Sequence, residues 1–163
     1  MTSESTKNRF QPQGRVKIVK GSILTPEMGG LRFVLNVANM AGKAEGDIYA
    51  LFDKKWPAVK REVKGAFNTR TGAYKLGSLA CTTAVQSDVW VVSLLCQDDK
   101  QQTDVVALEK SLKEVCKSAK YEKASVHVST LLTDATPEMS ELITKELVEN
   151  GVSVYFYEEA TGE

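Results

Sequence analysis

The sequence predicts an α/β domain with one mixed β-sheet and helices on both of its faces. Three observations carry that prediction. Apolar, β-rich runs recur at residues 15–20, 33–38, 76–85, 89–96, 125–128 and 152–157, and helical stretches separate several of them in the order β, β, α, β, β, α, β, α, β. Each helical stretch holds one apolar stripe that must be buried against a sheet. The run 33–38, Phe-Val-Leu-Asn-Val-Ala, is apolar at nearly every position, as expected of a strand covered on both sides.

The elements follow in order. Residues 15–20 alternate in character and read as a strand ended by Gly21 and Ser22; turn chemistry at residues 25–30 leads into the second strand. A helix begins near Asp47, with Ile48, Leu51, Phe52, Val59 and Val63 in helical period. Pro57 lacks a backbone donor, so two short helices are expected to meet at Trp56-Pro57. The runs 76–85 and 89–96, separated by Gln86-Ser87-Asp88, read as a hairpin. Thr103 is the expected cap of a helix whose Val105, Leu108, Leu112, Val115 and Ala119 share one side. After a short strand around His127, the last helix has Thr136 at its cap, Pro137 at its first position and Gly151 just past its end. Residues 152–157 form the final strand.

A chain of 163 residues is most economically one domain, long enough to bury roughly two thirds of its unfolded surface. Residues 15–158 are expected to form it, between a loose polar tail at 1–14 and an acidic tail at 159–163. Formal charge sums to zero, so no overall positive field favours non-specific nucleic acid. The three cysteines, Cys81, Cys96 and Cys116, are scattered and lack CxxC spacing, which fits a reduced compartment and a role as small core residues. One histidine and no clustered ligands argue against a metal centre, and no cofactor is implied. Residues 1–14 lack the apolar stretch of a signal peptide and no later run is long enough to span a bilayer, so a soluble, cytoplasmic protein without membrane partners is expected.

The junction after the second strand holds the best clue to function. The strand contains Asn36 and Asn39, is followed by the small residues Ala41, Gly42, Ala44 and Gly46, and leads into the helix at Asp47. Glycines let backbone approach a ligand closely, and the first N–H groups of a helix lack internal partners, so such a junction can hold a phosphorylated ligand. The same spacing also serves as a plain structural connection.

Several motifs in succession resemble those of macro domains. They are Lys20-Gly21-Ser22-Ile23-Leu24, then Leu35-Asn36-Val37-Ala38-Asn39, then Gly46-Asp47-Ile48 with Phe52-Asp53-Lys54-Lys55-Trp56-Pro57, and later Thr103-Asp104-Val105-Val106-Ala107-Leu108 and Ser125-Val126-His127-Val128. The similarity is greatest to the compact branch that includes ADP-ribose-1''-phosphate phosphatase-like and ADP-ribosyl-glutamate hydrolase-like proteins. The resemblance implies a three-layer α/β/α fold with an ADP-ribose cleft across the strand ends. It implies that backbone near Ser22 and Ile23 lies by adenine, that Asn39 faces the distal ribose beside Asn36, and that Gly42, Lys43 and Gly46 border the ribose and diphosphate. Leu132 and Thr133 fall in the second phosphate loop, and Tyr155 aligns with an aromatic able to stack on adenine, with Tyr157 as an alternative on the same sheet face.

The departures from the family pattern are as informative. Ser22 stands where an Asp usually accepts a hydrogen bond from adenine, and losing charge assistance predicts affinity weaker by about tenfold. Lys43 and Glu45 place side chains where relatives expose backbone; both are expected to face water. Residues 129–136 contain no glycine, so this loop cannot readily aim successive N–H groups at an anion. The lysine that some relatives use in catalysis has no counterpart at Leu95-Cys96-Gln97, and Lys100 sits in a polar turn. Asn39, Asp47 and Asp134 are the candidate catalytic residues, Asn39 to orient water or a hydroxyl and either aspartate as base. His127, flanked by valines, reads as a packed histidine. Three readings compete: a module binding ADP-ribose or a related nucleotide, carried on a protein in one case; a phosphatase or hydrolase acting on ADP-ribose-1''-phosphate or ADP-ribosylated substrates; and a scaffold that acts through protein contacts.

Overall fold

The computed structural model describes residues 13–27, 29–69 and 72–159. Residues 1–12 of the tail expected at 1–14 and residues 160–163 of the acidic tail lie outside these residues, as does Met28 of the first turn. The chain runs β1 (Val16–Lys20), β2 (Arg32–Asn39), α1 (Asp47–Asp53), α2 (Ala58–Thr69), β3 (Leu79–Gln86), β4 (Val89–Gln97), α3 (Val105–Glu122), β5 (Ser125–Ser129), α4 (Thr130–Ala135), α5 (Glu138–Glu146), a 3₁₀ turn (Val148–Asn150) and β6 (Val154–Glu158).

One mixed sheet has the strand order β1-β6-β5-β2-β4-β3, with every pairing parallel except the β3–β4 hairpin. Helices α1 and α2 pack together on one side, α3 and α5 on the other, completing three layers. Leu108, Leu112, Val115 and Ala119 of α3 and Met139 and Ile143 of α5 are buried, as the helical period requires. The chain breaks between α1 and α2 at Pro57, and the last helical turn ends at Gly151 with φ 94°.

Three local expectations are corrected. The cap of α3 is Asp104, whose carboxylate accepts from the Ala107 N–H at 3.0 Å, and Thr103 instead lies 3.3 Å from the Thr136 hydroxyl. Val105 then falls in the first turn and is 43% exposed, so the buried stripe begins at Leu108. Residues 130–135, expected as a loop, form the short helix α4, because the Ser129 hydroxyl caps it by accepting from Leu131 N–H at 3.1 Å.

Strand β2 lies at the centre of the sheet, and its polar ends are all engaged. Arg32, 4% exposed, donates to the carbonyls of Gly30, Pro26 and Glu27 and pairs with Asp88 at 2.7 Å. It thereby ties the β1–β2 connection to the β3–β4 turn. Beside it, the His127 ring is 1% exposed, with Nε2 2.7 Å from the Ser125 hydroxyl and Nδ1 2.7 Å from the Tyr157 hydroxyl. Tyr157 also accepts the Glu27 N–H at 2.9 Å, so the imidazole braces the same connection from beneath. Burial, with a smaller contribution from Arg32, lowers the His127 pKa to about 3.

Two predictions follow from this brace. Tyr157→Phe leaves His127 Nδ1 and the Glu27 N–H without a partner, so chemical denaturation should show a loss of about 1–3 kcal/mol. The folded state holds His127 neutral down to about pH 3, whereas the unfolded chain protonates it near 6.5. The unfolded state therefore binds more protons between those values. The stability contribution is complete above pH 6.5 and is lost as pH falls towards 3, with a limiting slope of about 1.4 kcal/mol per pH unit. Urea midpoints compared at pH 7 and pH 5 should fall together with pH, and His127→Gln should remove that component.

Candidate functional site

The parallel strands all end along one edge of the sheet, and the connections that leave them build a cleft there. Open α/β sheets bind ligands outside the carboxyl ends of their strands, where neighbouring connections diverge to opposite faces. Here the connection from β2 enters α1 on one face, while those from β4 and β5 lead to α3 and α5 on the other. The cleft has a volume of about 190 Å³. Val37 and Asn39 of β2 form its floor, the segment Glu45 to Tyr49 one wall, Leu131, Leu132, Ala135 and Thr136 the facing wall, and Gln97 with Gln101 its end.

Asn39 organises the floor. Its Oδ1 accepts from the N–H groups of Ala41 and Lys43, each at 3.1 Å, and its Nδ2 donates to the Lys43 carbonyl at 2.9 Å. The loop is thus wound around the side chain, which is 4% exposed. Behind it, the Tyr74 hydroxyl donates to the Asn39 carbonyl at 2.9 Å, and Met40 N–H donates to Gln97 O at 3.0 Å. Gly42 has φ 73° and sits against the Phe67 ring, where a Cβ would come within 2.3 Å of it. Conformation and space both demand glycine there. Gly46, φ 116°, is the N-cap of α1 and supplies no side-chain acceptor to the first turn.

Asn36 lies deeper and does not line the cleft. Its Nδ2 donates to Ser93 Oγ at 2.9 Å and to the Tyr49 hydroxyl at 3.1 Å, while the Tyr49 hydroxyl donates in turn to the Val37 carbonyl. Burial raises the Tyr49 pKa well above the usual 10, so the phenol stays a neutral donor. Asn36 Oδ1 is buried without a partner among the described residues. The asparagine thus positions Tyr49, whose ring forms part of the cleft wall.

Of the sequence-derived site residues, Asn39, Gly46, Asp47 and Leu132 come together at the cleft. Gly42 and Lys43 belong to the adjoining loop, and Lys43 is exposed rather than turned into the cleft. Glu45, expected to face water, lines the wall. Thr133 is buried and its hydroxyl lies 3.4 Å from the Thr130 carbonyl; Asp134 is on the exposed side of α4. The candidate catalytic set Asn39, Asp47 and Asp134 is therefore not brought together as one group. Tyr155 stacks on His127, with ring centroids 4.6 Å apart, in the middle of β6. Tyr157 shares that face and is fully buried.

Ser22 and Ile23 sit in the turn after β1, on the same strand-end edge. The Ser22 hydroxyl accepts from Leu24 N–H at 3.1 Å, and Ile23 N–H donates to Glu159 Oε2 at 2.7 Å. Gln97 and Gln101 were missed in the sequence; the signal that could have found them is the end of the strand hydrogen-bonded to β2. The lining includes two carboxylates, Glu45 and Asp47, with the amides of Asn39, Gln97 and Gln101, and among the described residues no lysine or arginine. Such a surface can hydrogen-bond sugar hydroxyls through carboxylate acceptors and amides, leaving backbone N–H groups at the α1 start to face an anion.

His127 and the cysteines offer no nucleophilic pair. Both ring nitrogens of His127 are engaged by Ser125 and Tyr157, and burial pushes the Cys96 thiol up to about 12. Among the described residues, Cys96 and Cys116 are free thiols, and no helix is long and apolar enough to cross a membrane.

No family model matches the chain, and no curated protein does. Solved structures do. A macrodomain protein from Streptomyces coelicolor superposes with a TM-score of 0.81 at 22% identity, covering 90% of this chain and 100% of that one. The macrodomain of Thermus aquaticus DarG gives 0.67 at 17% identity over 89% and 99%. Thermosipho africanus DarTG, solved in complex with ADP-ribose, gives 0.68 at 13% identity over 91% of this chain and 42% of that one. The α/β/α sandwich described above is the macrodomain fold.

Proposed function

We propose that the protein is a binding module for ADP-ribose or a related nucleotide, free or carried on an ADP-ribosylated protein. The observation that carries this reading is the convergence, on one strand-end edge, of the loop wound around Asn39, the start of α1 and the turn at Ser22 and Ile23. The shared fold with a DarTG protein solved with ADP-ribose supports it.

Magnitudes suggest how such a ligand would divide. The cleft, about 190 Å³, is smaller than the roughly 300–1,000 Å³ of sites that engulf a drug-sized ligand. It would take the distal ribose and a phosphate, with the base lying over the open strand ends towards Ser22 and Ile23. Asp47 and Glu45 would accept from ribose hydroxyls, and the first N–H groups of α1 would meet phosphate oxygens. Without a lining cation, phosphate recognition would rest on neutral donors, which bind more weakly than charged ones.

Asp47 in the cleft wall favours a second reading, a hydrolase for ADP-ribose-1''-phosphate or ADP-ribosylated substrates in which this carboxylate acts as base. Binding is preferred because the Asn39 amide is already committed to its own loop, and Asp134 lies outside the cleft.

Calorimetric titration of ADP-ribose, AMP and ATP tests the proposal. ADP-ribose should give saturable heat, and Asn39→Ala should weaken it at least tenfold, since three hydrogen bonds that shape the loop are lost. No heat from the intact, folded protein would overturn the binding reading and, with no release of phosphate or ADP-ribose either, would leave the scaffold reading. Incubation with ADP-ribose-1''-phosphate and with ADP-ribosylated protein should release neither phosphate nor ADP-ribose; release that Asp47→Asn abolishes would establish the hydrolase instead.

A further inference from the structure

The turn after β1 presents three successive backbone N–H groups, and all three are occupied. Leu24 N–H donates to Ser22 Oγ at 3.1 Å and Thr25 N–H to the Ser22 carbonyl at 3.1 Å. Ser22 therefore closes two of them locally. Ile23 N–H is different, because its acceptor is the Glu159 carboxylate at 2.7 Å, from the segment just past β6. Lys20 and Glu158 are the last paired residues of β1 and β6, so Glu159 is the first residue able to reach over the strand end. From the other side, Lys55 Nζ donates to the Leu24 carbonyl at 2.8 Å. The two-residue segment Ile23–Leu24 is thus held by a carboxylate at the N–H that enters it and by an ammonium group at the carbonyl that leaves it.

We propose that Glu159 is a specificity-determining residue that competes with the base of an incoming nucleotide for the Ile23 N–H. This rests on the reading above, in which the base lies towards Ser22 and Ile23. A ring nitrogen or carbonyl of a base can accept that N–H only after the carboxylate leaves, and an ionised carboxylate is a stronger acceptor than a neutral base. The Glu159 side chain has to turn away before a base seats. Ligands without a base have no such competitor, so the contact penalises nucleotides and leaves sugar phosphates untouched.

The test titrates ADP-ribose and ribose 5-phosphate into the full chain, Glu159→Ala and Glu159→Gln, with backbone amide exchange of Ile23 followed in the unliganded proteins. Glu159→Ala should tighten ADP-ribose by about tenfold, the size expected for removing one charge-assisted competitor, and should leave ribose 5-phosphate unchanged. Glu159→Gln keeps a weaker, neutral acceptor and should fall between. Ile23 exchange should quicken in Glu159→Ala. ADP-ribose binding to the full chain that Glu159→Ala leaves equal or weaker overturns the competition while the binding reading stands. An equal gain for ribose 5-phosphate also overturns it, as a general charge effect. If neither protein binds ADP-ribose, the binding reading itself falls and the competition with it.

Discussion

The interaction on which the rest depends is the burial of β2 on both faces. A central strand with no exposed side must satisfy every polar side chain it carries inside the fold. Arg32 at its start does so by gathering three carbonyls and Asp88. Asn36 in its middle does so in part, its Nδ2 engaging Ser93 and Tyr49 while its Oδ1 has no partner among the described residues, and Asn39 at its end does so by pulling the next loop around itself. The hydrogen-bonding demands of one strand therefore set the shape of the cleft floor. They also place the tyrosine beside it.

The second consequence concerns charge. The chain is neutral as a whole, and its cleft carries two carboxylates with no lining cation among the described residues. A site of this kind does not attract anions from a distance. Under the proposed binding function, selectivity would come from short-range geometry, with hydroxyls meeting carboxylates and phosphate oxygens meeting main-chain donors.

Much of the fold was legible because its signals are local. Pro57 cannot continue a helix, Gly151 tolerates the left-handed conformation it adopts, and the hairpin follows from two β-rich runs joined by a polar turn. The errors were also local in origin. Thr103 and Asp104 are both good caps, and only the tertiary position of Thr103 against Thr136 distinguishes them. α4 is a single capped turn and a half, too short for any apolar period to declare itself. In the site, Asn39, Gly46 and Asp47 could be read because they are contiguous in sequence. Gln97, Gln101 and Glu159 could not, since parallel pairing and strand order bring them to the edge from distant parts of the chain. Asn36 looked like a partner of Asn39, but the pleat turns it to the opposite face of β2, where it faces Tyr49.

Gly42 pressed against Phe67 has an effect that reaches beyond its own loop. Phe67 meets Tyr74 edge-on at 5.4 Å, and Tyr74 holds the Asn39 carbonyl, so the floor is wedged from the rear by a row of rings. In contrast, Lys43 and Glu45 at the mouth are both exposed, Lys43 outside the cleft and Glu45 along its wall. Sequence drift is accordingly channelled: the mouth can trade residues and alter what it accepts, while the wedge behind it tolerates almost no exchange.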